Sequence, residues 1–128
     1  MRIVIAGGGT GGHLFPGIAI AEEFIKRNAQ AKVVFIGTKR GIEGRLLSRL
    51  GYDLKTIDIE GIKGRGIRAL VKSVFQIPKS LWQARGILKQ FGPDMVIGVG
   101  GYASGPAVLA AYLMRIPTSI AEQNAIPG

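Results

Sequence analysis

MRIVIAGGGTGGH, residues 1–13, sets the architecture of this 128-residue chain. Residues 1–6 form a short segment that is apolar except at Arg2, partly β-branched and bounded by glycine, as in the buried strands of a parallel sheet. Residues 16–27 follow with helical periodicity, with Pro16 near the first turn of the predicted helix. One glycine is enough for a tight turn, but five of the six residues 7–12 are glycine. A strand and a helix joined in this way favour a phosphate or diphosphate cradle, because bare backbone N–H groups and the helix dipole meet there.

The alternation of strand and helix continues along the chain. Strands are predicted at 31–37, 52–60, 94–99 and 118–121, and helices at 41–50, 67–90 and 107–114. Pro78 is expected to kink or break the helix at 67–90 and to push Ile77 out of the helical region. The helix at 107–114 is apolar on all sides, which predicts that it is buried. This order predicts an α/β fold, a Rossmann-like parallel sheet with helices on both faces.

Charge is distributed unevenly along the chain. The net charge is +9, which suggests an anionic partner. Residues 61–93 contain seven basic side chains and no acidic one. This segment is either an ordinary surface helix with a solvated basic face, or a patch that binds an anionic membrane surface with Trp82 in the interface. The patch residues are Leu70, Lys72, Val74, Phe75, Lys79, Leu81 and Trp82. Nucleic acid is not an expected partner, because the apolar residues are mostly aliphatic and no recognised nucleic-acid motif occurs.

Two further polar segments follow predicted strands. GGYASGP at 100–106 is a second glycine-rich turn with a hydroxyl group, and EQN at 122–124 follows the last strand. The carboxyl ends of parallel strands share one edge, so both segments can face the same cleft as residues 7–13. Each segment is alternatively a simple hydrogen-bonded turn. Cysteine is absent, which excludes disulfides and thiolate metal sites.

GGTGGH at 8–13, GGYASGP at 100–106 and EQN at 122–124 together resemble the MurG family, the bacterial UDP-N-acetylglucosamine transferases that make lipid II from lipid I in peptidoglycan synthesis. The resemblance covers the amino-terminal, acceptor-side domain of that family. It implies that residues 1–128 form one half of a GT-B fold and that the carboxy-terminal donor-binding domain is absent from this sequence. The turn residues at 125–128 suit a junction between domains. The chain alone is therefore expected to be inactive in hexosyl transfer.

The resemblance also implies roles for particular residues. His13 matches a catalytic histidine, and the apolar and basic patch matches a surface thought to meet the cytoplasmic face of the inner membrane, where the family is peripheral. The implied UDP-GlcNAc contacts are Thr10, Gly11, Gly12 and Asn124. The implied acceptor-diphosphate contacts, for undecaprenyl-diphosphate-linked lipid I, are Gly100, Gly101, Tyr102, Ser104 and Gly105.

An inverting transfer of this kind needs a base that takes a proton from the acceptor hydroxyl. His13 is a candidate for the base or for a substrate hydrogen bond, and Glu122 is the rival base. A helix N-terminus can stabilise the departing diphosphate without a metal ion. The sequence has no Asp-x-Asp pair, so neither a metal nor another cofactor is expected.

Two other functions fit parts of the pattern. A dinucleotide-binding domain would place an acidic residue at the end of the second strand, and the sequence there is Gly37-Thr38-Lys39-Arg40. NAD is therefore disfavoured, although Lys39 and Arg40 could hold the 2′-phosphate of NADP. The second alternative is a non-catalytic membrane-docking half of a split glycosyltransferase.

Overall fold

A computed structural model describes residues 1–8, 11–38, 43–59, 66–101 and 103–121, with the backbone alone at 8, 11–14, 43, 44, 70, 72 and 73. Strands and helices alternate strictly along these ranges. In chain order they are β1 (Arg2–Gly8), α1 (Gly11–Arg27), β2 (Lys32–Thr38), α2 (Glu43–Arg49), β3 (Asp53–Ile57), α3 (Ile67–Phe91), β4 (Met95–Gly101), α4 (Ser104–Leu113) and β5 (Thr118–Ile120).

The five strands form one parallel sheet in the order β3-β2-β1-β4-β5. Successive side chains of a strand point to opposite faces, and both faces of β1 are fully buried at residues 3–6. This burial explains why the β1 sequence is continuously apolar rather than alternating. From β1 the chain adds β2 and β3 on one side, and then returns to add β4 and β5 on the other side. The carboxyl ends of β1 and β4 are therefore the switch point of the topology.

Each face of the sheet is covered by two helices. Helices α1 and α2 pack on one face through Ile18, Ala21 and Leu47. Helices α3 and α4 pack on the other face, where their buried residues are mostly alanines, which let the helix backbones lie close to the strands. The predicted Rossmann-like fold with helices on both faces is confirmed.

Helix α1 begins at Gly11, five residues before the predicted start at Pro16. The first N–H groups of a helix have no partner inside the helix, so a glycine-rich segment can form the first turn at little cost in hydrogen bonds. Pro16 removes only the bond to the carbonyl of Gly12. Residues 11–13 consequently lie in the helix and not in the preceding loop.

Helix α3 continues through Pro78, so the chain is not broken there. Ile77 is helical, so the prediction that it leaves the helical region is wrong. Ser80, Ala84 and Leu88 recur every four residues and are fully buried, which anchors the helix beyond the proline. The Ser80 Oγ donates a hydrogen bond of 2.9 Å to the carbonyl oxygen of Ile77. The carbonyl of Val74 loses its partner at Pro78, but Val74 is exposed and water can replace that bond. Gly92 ends the helix in the left-handed conformation.

Helix α4 begins at Ser104 and is buried on one side only, so the prediction that it is buried all round is wrong. Ala107, Ala110 and Ala111 face the sheet. Tyr112 and Leu113 are exposed. Apolar composition alone could not distinguish the side that packs on the sheet from the side that does not.

Candidate functional site

The two glycine-rich corners lie side by side at the switch point of the sheet. Strand β1 pairs with β4 so that Gly7 is level with Gly100 and Gly8 with Gly101. Helix α1 starts three residues after Gly8, and α4 starts three residues after Gly101. We call this edge the glycine rim, comprising residues 7, 8, 11, 12, 100, 101, 104 and 105. Two helix N-termini with their partial positive charge thus begin beside one pair of strand ends.

Close packing of the strands itself requires some of these glycines. A Cβ at Gly7 would overlap the side chain of Val99 and lie 2.9 Å from the carbonyl oxygen of Gly100. Gly100 and Gly101 have φ angles of 101° and 87°, in the left-handed region that favours glycine. These three glycines are therefore explained by the backbone geometry of the rim, whether or not a ligand binds there.

The first turn of α4 lies directly on β4. A Cβ at Gly98 would overlap Ser104 Oγ and approach Val108 Cγ2 to 2.7 Å. Gly105, the next residue of the helix, is exposed and has open space where a side chain would stand. Ser104 and Gly105 therefore lie at the carboxyl end of β4. Their predicted contact with an acceptor diphosphate stays a prediction. Tyr102 lies outside the described residues.

The first turn of α1 contains Gly11, Gly12 and His13. Helix α1 approaches the sheet closely, because a Cβ at Gly17 would lie 3.2 Å from Ile5 Cγ2. The structure describes the backbone of His13 but not its side chain, and Thr10 lies outside the described residues. The backbone N–H groups of this first turn have no acceptors within the helix, which is the arrangement that binds anions at helix N-termini.

Strand β5 ends at Ile120, before the third predicted segment. Gly98 is level with Ile120, and the Ala121 N–H donates to the Gly98 carbonyl at 2.8 Å. Glu122 and Asn124, like Lys39 and Arg40 after β2, lie outside the described residues. The roles assigned to them stay predictions.

The predicted membrane patch is largely exposed. Phe75 and Trp82 each expose 73% of their surface, and Ile67, at the start of α3, exposes 79%. Leu81 instead packs against the core between α3 and the sheet. The backbone at Leu70 and Lys72 is helical, and their side chains are not described. The first three turns of α3 therefore present an apolar surface.

Sequence reasoning missed a polar clamp that ties α3 to the end of β3. Gln83 donates from Nε2 to Asp58 Oδ2 at 2.8 Å and accepts from the Asp58 backbone N–H at 2.7 Å. Lys79 Nζ lies 3.2 Å from the same Asp58 Oδ2. Lys79, predicted only as a membrane contact, thus also holds the helix in place. Gln83 and Asp58 lie 25 positions apart in the sequence, and no local sequence pattern predicts a contact between residues so far apart.

Within the described part of the chain, no group of three or more histidine or acidic side chains could hold a metal ion. A search of the same residues found no helix with the length and apolar character needed to cross a bilayer.

Comparisons with known proteins agree on one family. The model of the glycosyltransferase family 28 N-terminal domain matches residues 3–128. The UDP-N-acetylglucosamine--N-acetylmuramyl-(pentapeptide) pyrophosphoryl-undecaprenol N-acetylglucosamine transferases of Syntrophus aciditrophicus and Geotalea uraniireducens are 59% and 60% identical to the whole chain, which covers 36% and 35% of their lengths. The crystal structure of Acinetobacter baumannii MurG superposes with a TM-score of 0.81 at 37% identity, over 99% of this chain and 36% of that one. The chain thus spans about a third of the length of the relatives it matches.

Proposed function

The chain belongs to the glycosyltransferase family 28 N-terminal domain family, and from this membership we propose that it is the acceptor-side half of a GT-B glycosyltransferase. Residues 1–128 form its amino-terminal Rossmann-like domain. The donor-binding domain belongs to the remaining length of the relatives, which this chain does not span. The match over residues 3–128 is the observation that carries the proposal.

The proposed reaction moves N-acetylglucosamine from UDP-GlcNAc to the muramyl sugar of undecaprenyl-diphosphate-linked lipid I and gives lipid II. The acceptor hydroxyl oxygen forms a bond to the anomeric carbon as the bond from that carbon to UDP breaks, with inversion. A base takes the hydroxyl proton, and UDP leaves with its diphosphate charge. Both substrates carry a diphosphate, and two glycine-rich helix starts at one edge suit a pair of such groups.

The first turn of α1 is proposed to meet the donor. Gly11 and Gly12 have no side chains, so their backbone N–H groups can donate to an anion at close range, which favours the departing diphosphate in the transition state. The proposed UDP-GlcNAc contacts are Thr10, Gly11, Gly12 and Asn124.

The start of α4 is proposed to meet the diphosphate of the acceptor. The support is the level pairing of Gly7 with Gly100, which sets this corner beside the first one. Ser104 can donate its hydroxyl and Gly105 leaves open space for a ligand. The proposed acceptor contacts are Gly100, Gly101, Tyr102, Ser104 and Gly105.

His13 and Glu122 are the proposed candidates for the catalytic base. His13 is the only histidine of the chain and lies in the first turn of α1. An imidazole titrates near neutral pH and can accept the proton at physiological pH. Glu122 follows β5, whose end is level with the same edge of the sheet.

The exposed apolar turns of α3 are proposed to bind the cytoplasmic face of the inner membrane, where a lipid-linked acceptor is presented. Phe75 and Trp82 would enter the interface while basic side chains of the same helix meet anionic head groups. The enzyme would then be peripheral.

A transfer assay with the full-length protein tests the proposal. Labelled UDP-GlcNAc and a soluble lipid I analogue should give a disaccharide product with the inverted linkage. The chain 1–128 alone should give none, because half of the cleft is missing. Absence of product with the full-length protein refutes the transferase, and turnover by residues 1–128 alone refutes the division into two half-sites. Reconstitution by a separately expressed carboxy-terminal partner is the result that distinguishes a split enzyme.

A further inference from the structure

A cavity of about 350 Å³ opens at the edge of the sheet opposite the glycine rim. It lies at the amino ends of β1 and β2, between these strands and the last turns of α3. Arg2, Lys32 and Lys55 line it from the sheet, together with Asp53, and Gln90 and Phe91 line it from the helix. Nothing in the proposed transfer uses this cavity.

The cavity concentrates positive charge. Arg2 and Lys32 are level with each other on neighbouring strands, which places them one strand spacing apart. Lys55 projects from the next strand, β3, towards the same α3 side. Three cations against the single carboxylate of Asp53 leave a net charge of two. Among the described residues, no ion pair within 4 Å involves any of these three cations, and Asp53 offsets only part of their mutual repulsion.

Arg2 is held in position by its surroundings. Its Nε donates to the Phe91 carbonyl at 2.8 Å, and its guanidinium carbon lies 4.3 Å from the centre of the Phe91 ring. Its backbone N–H donates to Asp94 Oδ2 at 2.8 Å. Its terminal guanidinium nitrogens make no hydrogen bond to the described residues. A guanidinium fixed in this way presents donors to an oxyanion with little further loss of side-chain entropy.

Three features oppose an anion in this cavity. The C-terminus of α3 carries partial negative charge, Asp53 is itself an anion, and the Asp94 carboxylate accepts from the Arg2 backbone N–H. However, the Phe91 carbonyl is occupied by Arg2 Nε, and the Leu88 carbonyl accepts from the Gly92 N–H at 2.8 Å. The cations therefore outweigh these groups at the mouth of the cavity.

We propose that this cavity binds the phosphate group of a small soluble ligand, at a site separate from the glycine rim. Its volume lies at the lower end of the range of small-molecule pockets, which suits a phosphate ester of modest size. The proposal does not depend on the transferase function.

Amide NMR spectra of the chain, titrated with inorganic phosphate at constant ionic strength set with chloride, test the proposal. Signals of Arg2, Lys32, Lys55 and Phe91 should shift saturably. The double variant Lys32→Gln with Lys55→Gln should bind phosphate about tenfold more weakly, because two charges near the ligand are lost.

The matched control is Lys26→Gln with Arg49→Gln, which removes the same net charge from exposed positions on α1 and α2. Its phosphate affinity should equal that of the parent chain. An equal loss in both double variants would mean a diffuse charge effect and would overturn the proposal. Shifts that never saturate would also overturn the proposal. Shifts confined to the glycine rim would overturn it too, but they would leave the transferase proposal intact.

Discussion

Substitution of Gly98 by alanine tests how closely α4 lies on the sheet. The added Cβ would overlap Ser104 Oγ and stand 2.7 Å from Val108 Cγ2, whereas ordinary contacts begin at 3.4 Å. The serine hydroxyl can rotate away. Val108 cannot do so easily, because a β-branched side chain in a helix has one strongly preferred χ1 angle. The start of α4 must therefore move outward, and overpacking of this kind costs about 1–3 kcal/mol.

Equilibrium urea unfolding measures the effect of this substitution. We expect Gly98→Ala to lower the free energy of unfolding by about 2 kcal/mol, without a change in the denaturant slope. Gly86→Ala in α3 is the control, because no atom lies within 4 Å of its added Cβ, and it should raise stability by about 0.5–1 kcal/mol. If Gly98→Ala is as stable as the parent while Gly86→Ala gains stability, the close approach of α4 to β4 is refuted.

Four other substitutions test the site and its surroundings. His13→Ala in the full-length protein should lower turnover by about 10²-fold or more with unchanged unfolding, and unchanged turnover would remove it from the catalytic candidates. Gly105→Ala should keep or slightly raise stability but weaken acceptor binding in the transfer assay; equal acceptor affinity would argue against a ligand there. Trp82→Ala should weaken salt-sensitive binding to anionic vesicles, and equal binding of the parent protein to neutral vesicles at any salt would contradict the membrane proposal. Burial, and to a lesser extent the charge of Glu22, raises the pKa of Tyr52. The contribution of the neutral Tyr52 hydroxyl to the free energy of unfolding is therefore complete below the ordinary tyrosine pKa. It is lost as pH rises through the higher pKa of the folded state. Absorbance titration of Glu22→Gln should show this pKa move back towards its ordinary value, and no movement would exclude that charge as a cause.

The alternation of strands and helices was predictable because each strand is an apolar run that stops at glycine or a polar turn. The shared edge of the two glycine corners followed from parallel strand direction alone, and the level pairing of Gly7 with Gly100 confirms it. The motifs at 8–13, 100–106 and 122–124 predicted the family, which the match over residues 3–128 confirms. The individual site residues stay predictions.

Errors in the prediction arose where tertiary packing overrides local preference. The helical periodicity of residues 16–27 and Pro16 predict a start at residue 16, but α1 begins at Gly11, because the first turn of a helix needs few internal hydrogen bonds. Pro78 suggested an interruption, but the buried stripe of Ser80, Ala84 and Leu88 holds α3 against the sheet on the far side of the proline. Contacts such as Arg2 with Phe91 join residues far apart in sequence and leave no local signal.

The glycines of the rim do not all carry the same weight as evidence for a ligand. At Gly7 a side chain would strike the neighbouring strand, and at Gly100 and Gly101 the backbone conformation itself favours glycine. These positions would contain glycine even in a rim that bound nothing. Gly105 differs, because its φ angle is not in the left-handed region and its Cβ would meet open space. Packing gives no reason for glycine at Gly105, but it gives none at Gly86 in α3 either, where an added Cβ likewise meets no atom within 4 Å. Open space alone therefore does not identify a ligand site, and the comparison of Gly105→Ala with Gly86→Ala in the transfer assay is what separates a binding role from a neutral surface glycine.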